Sequence, residues 1–267
     1  MIPALAAAFA LFQTPVCAAP PDAALLWANP ATRFVFVGET HGTTETPAAF
    51  AELVCEASAT RPVVIAVEIP ETLQAELDAW MASDGGASAR DRLLGQAWWA
   101  VERADGRSSA AMLAMLERVR LLKAEGRDLT LRGYQPARQR PPGFDQSYYE
   151  NNMAGLLIEA AYARPDALVL ALGGSLHARK TFSERHGFFF AAGHLGVRNI
   201  RSVRTAYQGG RTWACFGESA CGDSDMGRGD TDAALRGVVL GPVDDGAYDG
   251  LLAVGPTTAS GPARSAP

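Results

Sequence analysis

The sequence predicts an α/β domain built on a largely parallel sheet. Three observations carry this. Four short apolar runs, at 33–38, 63–68, 129–134 and 167–172, are continuous rather than alternating, as strands covered on both faces are. Helical patterns separate them. The last third of the chain then changes to short strand patterns divided by glycine.

Taken in order, the first helical pattern covers 47–59, with Thr46 as its N-cap and Pro47 at the first helical position. The second, 71–82, is amphipathic. The third, 109–125, repeats Met112, Met115, Leu116, Val119 and Leu122 on one face, which marks both methionines as core rather than ligands. A fourth covers 144–163. Later strands are expected at 200–207, 211–216, 237–240 and 248–254, with Gln208-Gly209-Gly210 as a hairpin turn between the first two. Residues 217–232 read as a polar surface loop and 256–267 as a flexible tail. No internal repeat or long linker appears, so 25–255 is expected to be one domain.

The 267 residues, 48% hydrophobic and 20% charged, suffice for one sizeable core and exclude a disordered chain. The net charge of −5 argues against nucleic acid, which needs a basic face. Neither a phosphate loop, a dinucleotide fingerprint nor a Gly-x-Ser-x-Gly elbow is present, which weakens kinase, dehydrogenase and serine-esterase readings.

The apolar run 3–16, followed by Cys17-Ala-Ala-Pro20, has the pattern of a secretory signal cleaved after Ala18, although no Lys or Arg precedes it; the alternative is a buried N-terminal helix. Residues 1–18 are therefore expected to be removed, taking Cys17 with them. The run is too short to span a membrane and no later segment is long and apolar enough, so the expected location is periplasmic or secreted. Cys215 and Cys221 bracket a loop of small residues and, in an exported protein, are expected to form a local disulfide; half of a metal site is the weaker reading. Cys55 falls on the apolar side of its helix and reads as a core thiol.

The unusual polar residues fall at strand ends. The first strand ends in Gly38-Glu-Thr-His-Gly42, the second in Val67-Glu-Ile-Pro70, the fourth in Gly173-Gly-Ser-Leu-His-Ala178. Carboxyl ends of parallel strands share one edge, where ligands bind. Glu39, His41, Glu68 and His177 are thus expected to converge there, Glu39 and His41 projecting to the same side. A carboxylate closing an apolar strand is costly unless it is paired or bound.

These motifs, together with Asp105-Gly-Arg-Ser-Ser109, resemble those of the erythromycin esterase, ChaN and TIKI superfamily, over about residues 34–178 with a weaker echo at 248–255. The resemblance implies a three-layer α/β fold and a site made of the first glutamate and histidine, the second glutamate and the late histidine. Members differ in activity: some hydrolyse macrolide esters, TIKI-like ones are metal-dependent proteases, and ChaN-like ones bind haem. This sequence departs in having Gly174 where an asparagine is common.

The favoured function is hydrolysis of an ester or related acyl bond in a small molecule, with no cofactor required. His41 would be the general base, Glu39 or Glu68 its orienting carboxylate, and His177 the acid or oxyanion donor. The alternatives are a haem- or metal-binding protein of ChaN type, with His41 or His177 as axial ligand, or a metal-dependent peptidase of TIKI type; Glu39, His41, Glu68 and His177 would then hold a divalent metal such as zinc or manganese. Arg107 would clamp a substrate carboxylate or oxyanion, with Trp98 and Trp99 covering an apolar group; equally, Arg107 would pair with Asp105 at the surface while the tryptophans are core. His194 would reach the crevice or sit satisfied in a loop, and Tyr148, Tyr149 and Glu150 would line the pocket. His186, Arg179 and Lys180 read as surface residues. The oligomeric state is not specified by the sequence.

Overall fold

The computed structural model describes residues 16–100, 105–137, 145–196, 198–215, 221–229, 232 and 234–264. The four apolar runs form β1 (Phe34–Glu39), β2 (Val63–Pro70), β3 (Leu129–Gln135) and β4 (Leu168–Gly174). They are joined by β5 (Ile200–Ala214), β6 (Gly222–Asp225), β7 (Gly237–Val243) and β8 (Tyr248–Thr257). The sheet order is β3-β2-β4-β1-β5-β8-β7, with β6 beside β5. All neighbours from β3 to β8 are parallel, while β7 and β6 add antiparallel edges.

The helices are α1 (Glu45–Ser58), α2 (Gln74–Met81), α3 (Ala87–Leu94), α4 (Ala110–Ala124) and α5 (Gln146–Ala163). Ser109 and Asp145 cap α4 and α5 by accepting the N–H groups of Met112 and Tyr148. Thr46, expected as a cap, lies inside α1, where its hydroxyl meets that of Thr43.

The period-2 alternation of the strands divides the core. Val35, Val37, Ile65, Val67, Leu170 and Leu172 pack with α1, α2 and α4. Phe34, Phe36, Val64, Ala66, Val169 and Ala171 pack with Met153, Ala154, Leu157 and Ala160 of α5. The result is three layers, with the helices on both faces of the sheet.

Three expectations are corrected. Gln208-Gly209-Gly210 is no hairpin: β5 runs straight through it, and the register with β8 shifts there because Gly209 and Gly210 take positive φ and form bulges. The turn comes later, where Cys215 and Cys221, bonded as expected, link the ends of β5 and β6. Of the segment expected to fray, the described part up to residue 264 is tied down: the N–H groups of Ser260 and Ala263 donate to Gly42 and Ser108, and Gly261 accepts from Ala110. It braces the loops after β1 and before α4. Cys55 is not a free thiol but is bonded to Cys17, with their Cα atoms 5.6 Å apart, and the neighbouring Ala18 N–H donates to Glu52 of α1. The N-terminal stretch that contains Cys17 is thereby fastened to the core.

Candidate functional site

The register brings the strand ends level. Val37, Leu172 and Val67 lie in one row of β1, β4 and β2, and Glu39 sits beside Gly174 two residues further along. Glu68 follows Val67 and ends in the same place. After β1 the chain turns at Gly42 (φ 78°), which the Trp213 carbonyl approaches so closely that a Cβ would lie 2.1 Å from its oxygen. After β4, a tight turn in which His177 N–H donates to Gly174 carries His177 back over the sheet edge.

Four sequence-identified residues meet here. His41 Nδ1 is 2.9 Å from Glu39 Oε1. Since a carboxylate only accepts, Nδ1 carries the proton and Nε2 points onward. That Nε2 lies 3.5 Å from Glu68 Oε2, and His177 Nε2 lies 3.7 Å from Glu68 Oε1. Both distances exceed a direct hydrogen bond, and both Nε2 atoms turn toward the one carboxylate. Glu68 is held from other directions, by Gly174 N–H at 2.8 Å and Arg107 Nη1 at 3.0 Å.

Arg107 pairs with Asp105, as one of its two readings had it, but it is not confined to the surface. Its Nε and Nη2 pair with Asp105, while Nη1 reaches inward to Glu68. Beside it opens a cleft of ≈ 320 Å³ whose walls include Pro70, Thr72, Ala97 and Trp98. Trp98 is half-buried at that cleft, but Trp99 is fully buried in the core, edge-on to Trp98. The expectation that both tryptophans cover a substrate is therefore corrected for Trp99.

Charge complementarity sets the proton affinities. Burial by itself disfavours charge on His41, yet Glu68 and the bonded Glu39 raise its pKa above the ordinary histidine value against the opposing Arg107. His177 is raised in the same way, burial being outweighed by Glu68 and Glu150. Burial would push Glu68 up, but His41, His177, Arg107 and Gly174 N–H hold it below the usual carboxylate range. Burial and the nearby Glu68 push the Tyr149 phenol up to about 12, which keeps it a neutral donor.

Among the described residues no three His, Cys, Asp or Glu side chains are grouped as a metal would need, and the Arg107 guanidinium already sits on Glu68.

Solved structures share this architecture. A mutant of erythromycin esterase EreC, in its open conformation, matches with TM-score 0.63 at 13% identity, over 90% of this chain and 93% of that one. The fold is that of erythromycin esterase. A succinoglycan biosynthesis protein matches with TM-score 0.64 at 11% identity, over 86% and 89% of the two chains. A Bacillus cereus protein matches with TM-score 0.53 at 12% identity, over 88% and 91%. No family model matches the sequence, and no curated protein does.

On this erythromycin-esterase fold one carboxylate that the sequence reading set along the pocket, without a partner, finds one. Glu150, fully buried on α5, lies 2.8 Å from His177 Nδ1. Its signal was available: it stands in the apolar stripe with Met153, Ala154 and Leu157, where a charge needs a partner. The other histidines stay apart. His194 is exposed and contacts the Phe189 carbonyl, and His186 is exposed beside Ser183. Lys180 pairs with Asp249, and Tyr148 is exposed.

Proposed function

We propose that the protein is an exported hydrolase of an ester or related acyl bond in a small molecule, with water activated by His41. The observation that carries this is the pair of carboxylate-anchored histidines whose Nε2 atoms face each other across Glu68. In its neutral form, His41 Nε2 takes a proton from water as the water oxygen attacks the acyl carbon. Glu39, bonded to Nδ1, fixes the tautomer and stabilises the imidazolium. The carbonyl electrons move to oxygen, and His177 and Arg107 face that developing charge. Collapse of the intermediate expels the alkoxide, which recovers the proton from His41. No covalent serine or cysteine intermediate enters, and Trp98 covers an apolar part of the substrate in the cleft beside Arg107.

Export is supported by the signal-like N-terminus and the two disulfides; among the described residues no helix is long and apolar enough to cross a membrane. The fold shared with erythromycin esterase supports acyl-bond chemistry as the first to assay. The test is a panel of small esters and lactones hydrolysed by the wild-type protein and by His41→Ala. Turnover by the wild type that falls about 100-fold or more in the variant is expected. A wild type inactive on the whole panel, or a variant with full activity, would overturn the reading.

A further inference from the structure

The two histidine–glutamate pairs differ in how completely their carboxylates are satisfied. Glu39 Oε2 is buried without a hydrogen-bond partner. Glu150, by contrast, has both oxygens filled: Oε1 accepts from Gln146 Nε2 at 2.7 Å, and Oε2 from His177 Nδ1 at 2.8 Å and Ala191 N–H at 3.1 Å. Ala192 N–H donates in turn to the His177 carbonyl. Backbone and ring of His177 are thereby fixed to α5 and to the short 3₁₀ turn Ala191–His194. Glu150 is completely buried, so no bound molecule touches it.

We infer that Glu150 is a positioning residue that holds His177 as the Nδ1–H tautomer with Nε2 aimed at Glu68. The physical ground is the acceptor-only character of a carboxylate. Opposite Glu150, Nδ1 must donate, so the neutral ring keeps the lone pair of Nε2, and the protonated ring its Nε2–H, for the cleft. Phe190, edge-on with centroids 6.5 Å apart, and Tyr149, tilted at 6.3 Å, pack against the His177 ring, while Nδ1 is bonded to Glu150. The tautomer is a property of the folded protein; only its consequence for turnover rests on the hydrolase reading.

The test is ¹⁵N-labelled NMR of the histidine rings, in the full chain at one fixed pH, for wild type, Glu150→Gln and Glu150→Leu, with kcat and KM measured on any ester turned over. In the wild type, an Nδ1–H signal of His177 displaced far downfield by its charge-assisted bond is expected. Glu150→Gln keeps an acceptor but removes the charge, so the signal moves upfield and kcat falls while KM holds. Glu150→Leu, where folded, loses the Nδ1–H preference and has the lower kcat of the two. A His177 signal unchanged in Glu150→Gln, or a kcat equal to wild type beside a raised KM, would overturn the inference. A wild type with no esterase activity but the expected His177 signals would instead count against the hydrolase reading alone.

Discussion

Gly174 lies against His41: a Cβ on residue 174 would stand 3.1 Å from His41 Nε2 and 3.4 Å from His177 Cδ2, while its own N–H holds Glu68. One residue earlier, a Cβ on Gly173 would fall 1.9 Å from the hydroxyl of Tyr134, which is buried and donates to the Leu172 carbonyl. That Cβ would also stand 3.0 Å from Glu68 Oε2, so Gly174 keeps space for the histidines while Gly173 keeps it chiefly for the buried Tyr134 hydroxyl. Gly174→Ala is expected to lower hydrolysis about tenfold or more, because the site tolerates little misplacement, with a small change in stability. Gly173→Ala is expected to destabilise by about 1–3 kcal/mol through overpacking. Denaturant unfolding alongside turnover separates them, and equal effects of the two substitutions would contradict this division.

Arg107 is the fixed cation beside Glu68, and both are largely buried. Removing one partner of such a pair leaves a buried charge uncompensated, typically at a cost of about 3–5 kcal/mol. Here the two histidines and Gly174 N–H remain, so Arg107→Met is expected to cost about 3 kcal/mol, the lower end of that range. Adding Glu68→Gln should return part of the loss, because the stranded charge is gone. A double variant less stable than Arg107→Met by the full cost of Glu68→Gln alone would show that the two residues do not interact.

The parts of the site that were legible in the sequence are those set by strand ends. Glu39, His41, Glu68 and His177 follow apolar runs directly, and a parallel sheet must place such ends together. Glu150 depends instead on how α5 docks against the sheet, which no local pattern fixes, although its place among apolar helix residues marks it as needing a partner. Glycine at 209 and 210 read as a turn because turns and bulges demand the same positive φ; the pairing with β8 decides between them. The tail after Thr257 has no apolar period at all. Backbone hydrogen bonds to Gly42 and Ser108 order it, and sequence composition carries no trace of those.

Both site histidines have raised pKa values, so the sign of their pH dependence is fixed. The charges facing His41 are Glu39, Glu68 and Arg107; those facing His177 are Glu68, Glu150 and His41 itself. A folded-state value above the unfolded one near 6.5 means stability that is full below about pH 6.5 and is lost as pH rises through the raised value. Activity should run the other way, increasing with pH as His41 becomes neutral and able to accept a proton. Glu68 adds the opposite acid limb: its lowered value contributes stability that is lost as pH falls through it. The check is unfolding free energy against pH for wild type and His41→Asn. The loss on the alkaline side should shrink in the variant, and superimposable curves would remove His41 from the account.

The Cys17–Cys55 bridge makes a prediction about the mature chain. Cleavage after Ala18 would discard Cys17, yet Cys17 is bonded to α1 and Ala18 is hydrogen-bonded to Glu52. The exported protein is therefore expected to keep residue 17, with any processing upstream of it. The chain-entropy argument then ranks the two disulfides. Their sequence separations are 38 and 6, and the longer loop restricts the unfolded chain more. Removing Cys55 should cost about 4 kcal/mol and removing Cys221 about 2 kcal/mol. Intact mass and non-reducing peptide mapping of protein recovered from the exporting cell test the first point, and denaturant unfolding of Cys55→Ser and Cys221→Ser tests the second. A mature chain beginning at Ala19 would show that Cys55 is left as the core thiol its helix position suggests, and would leave only the Cys215–Cys221 bridge to stabilise the fold.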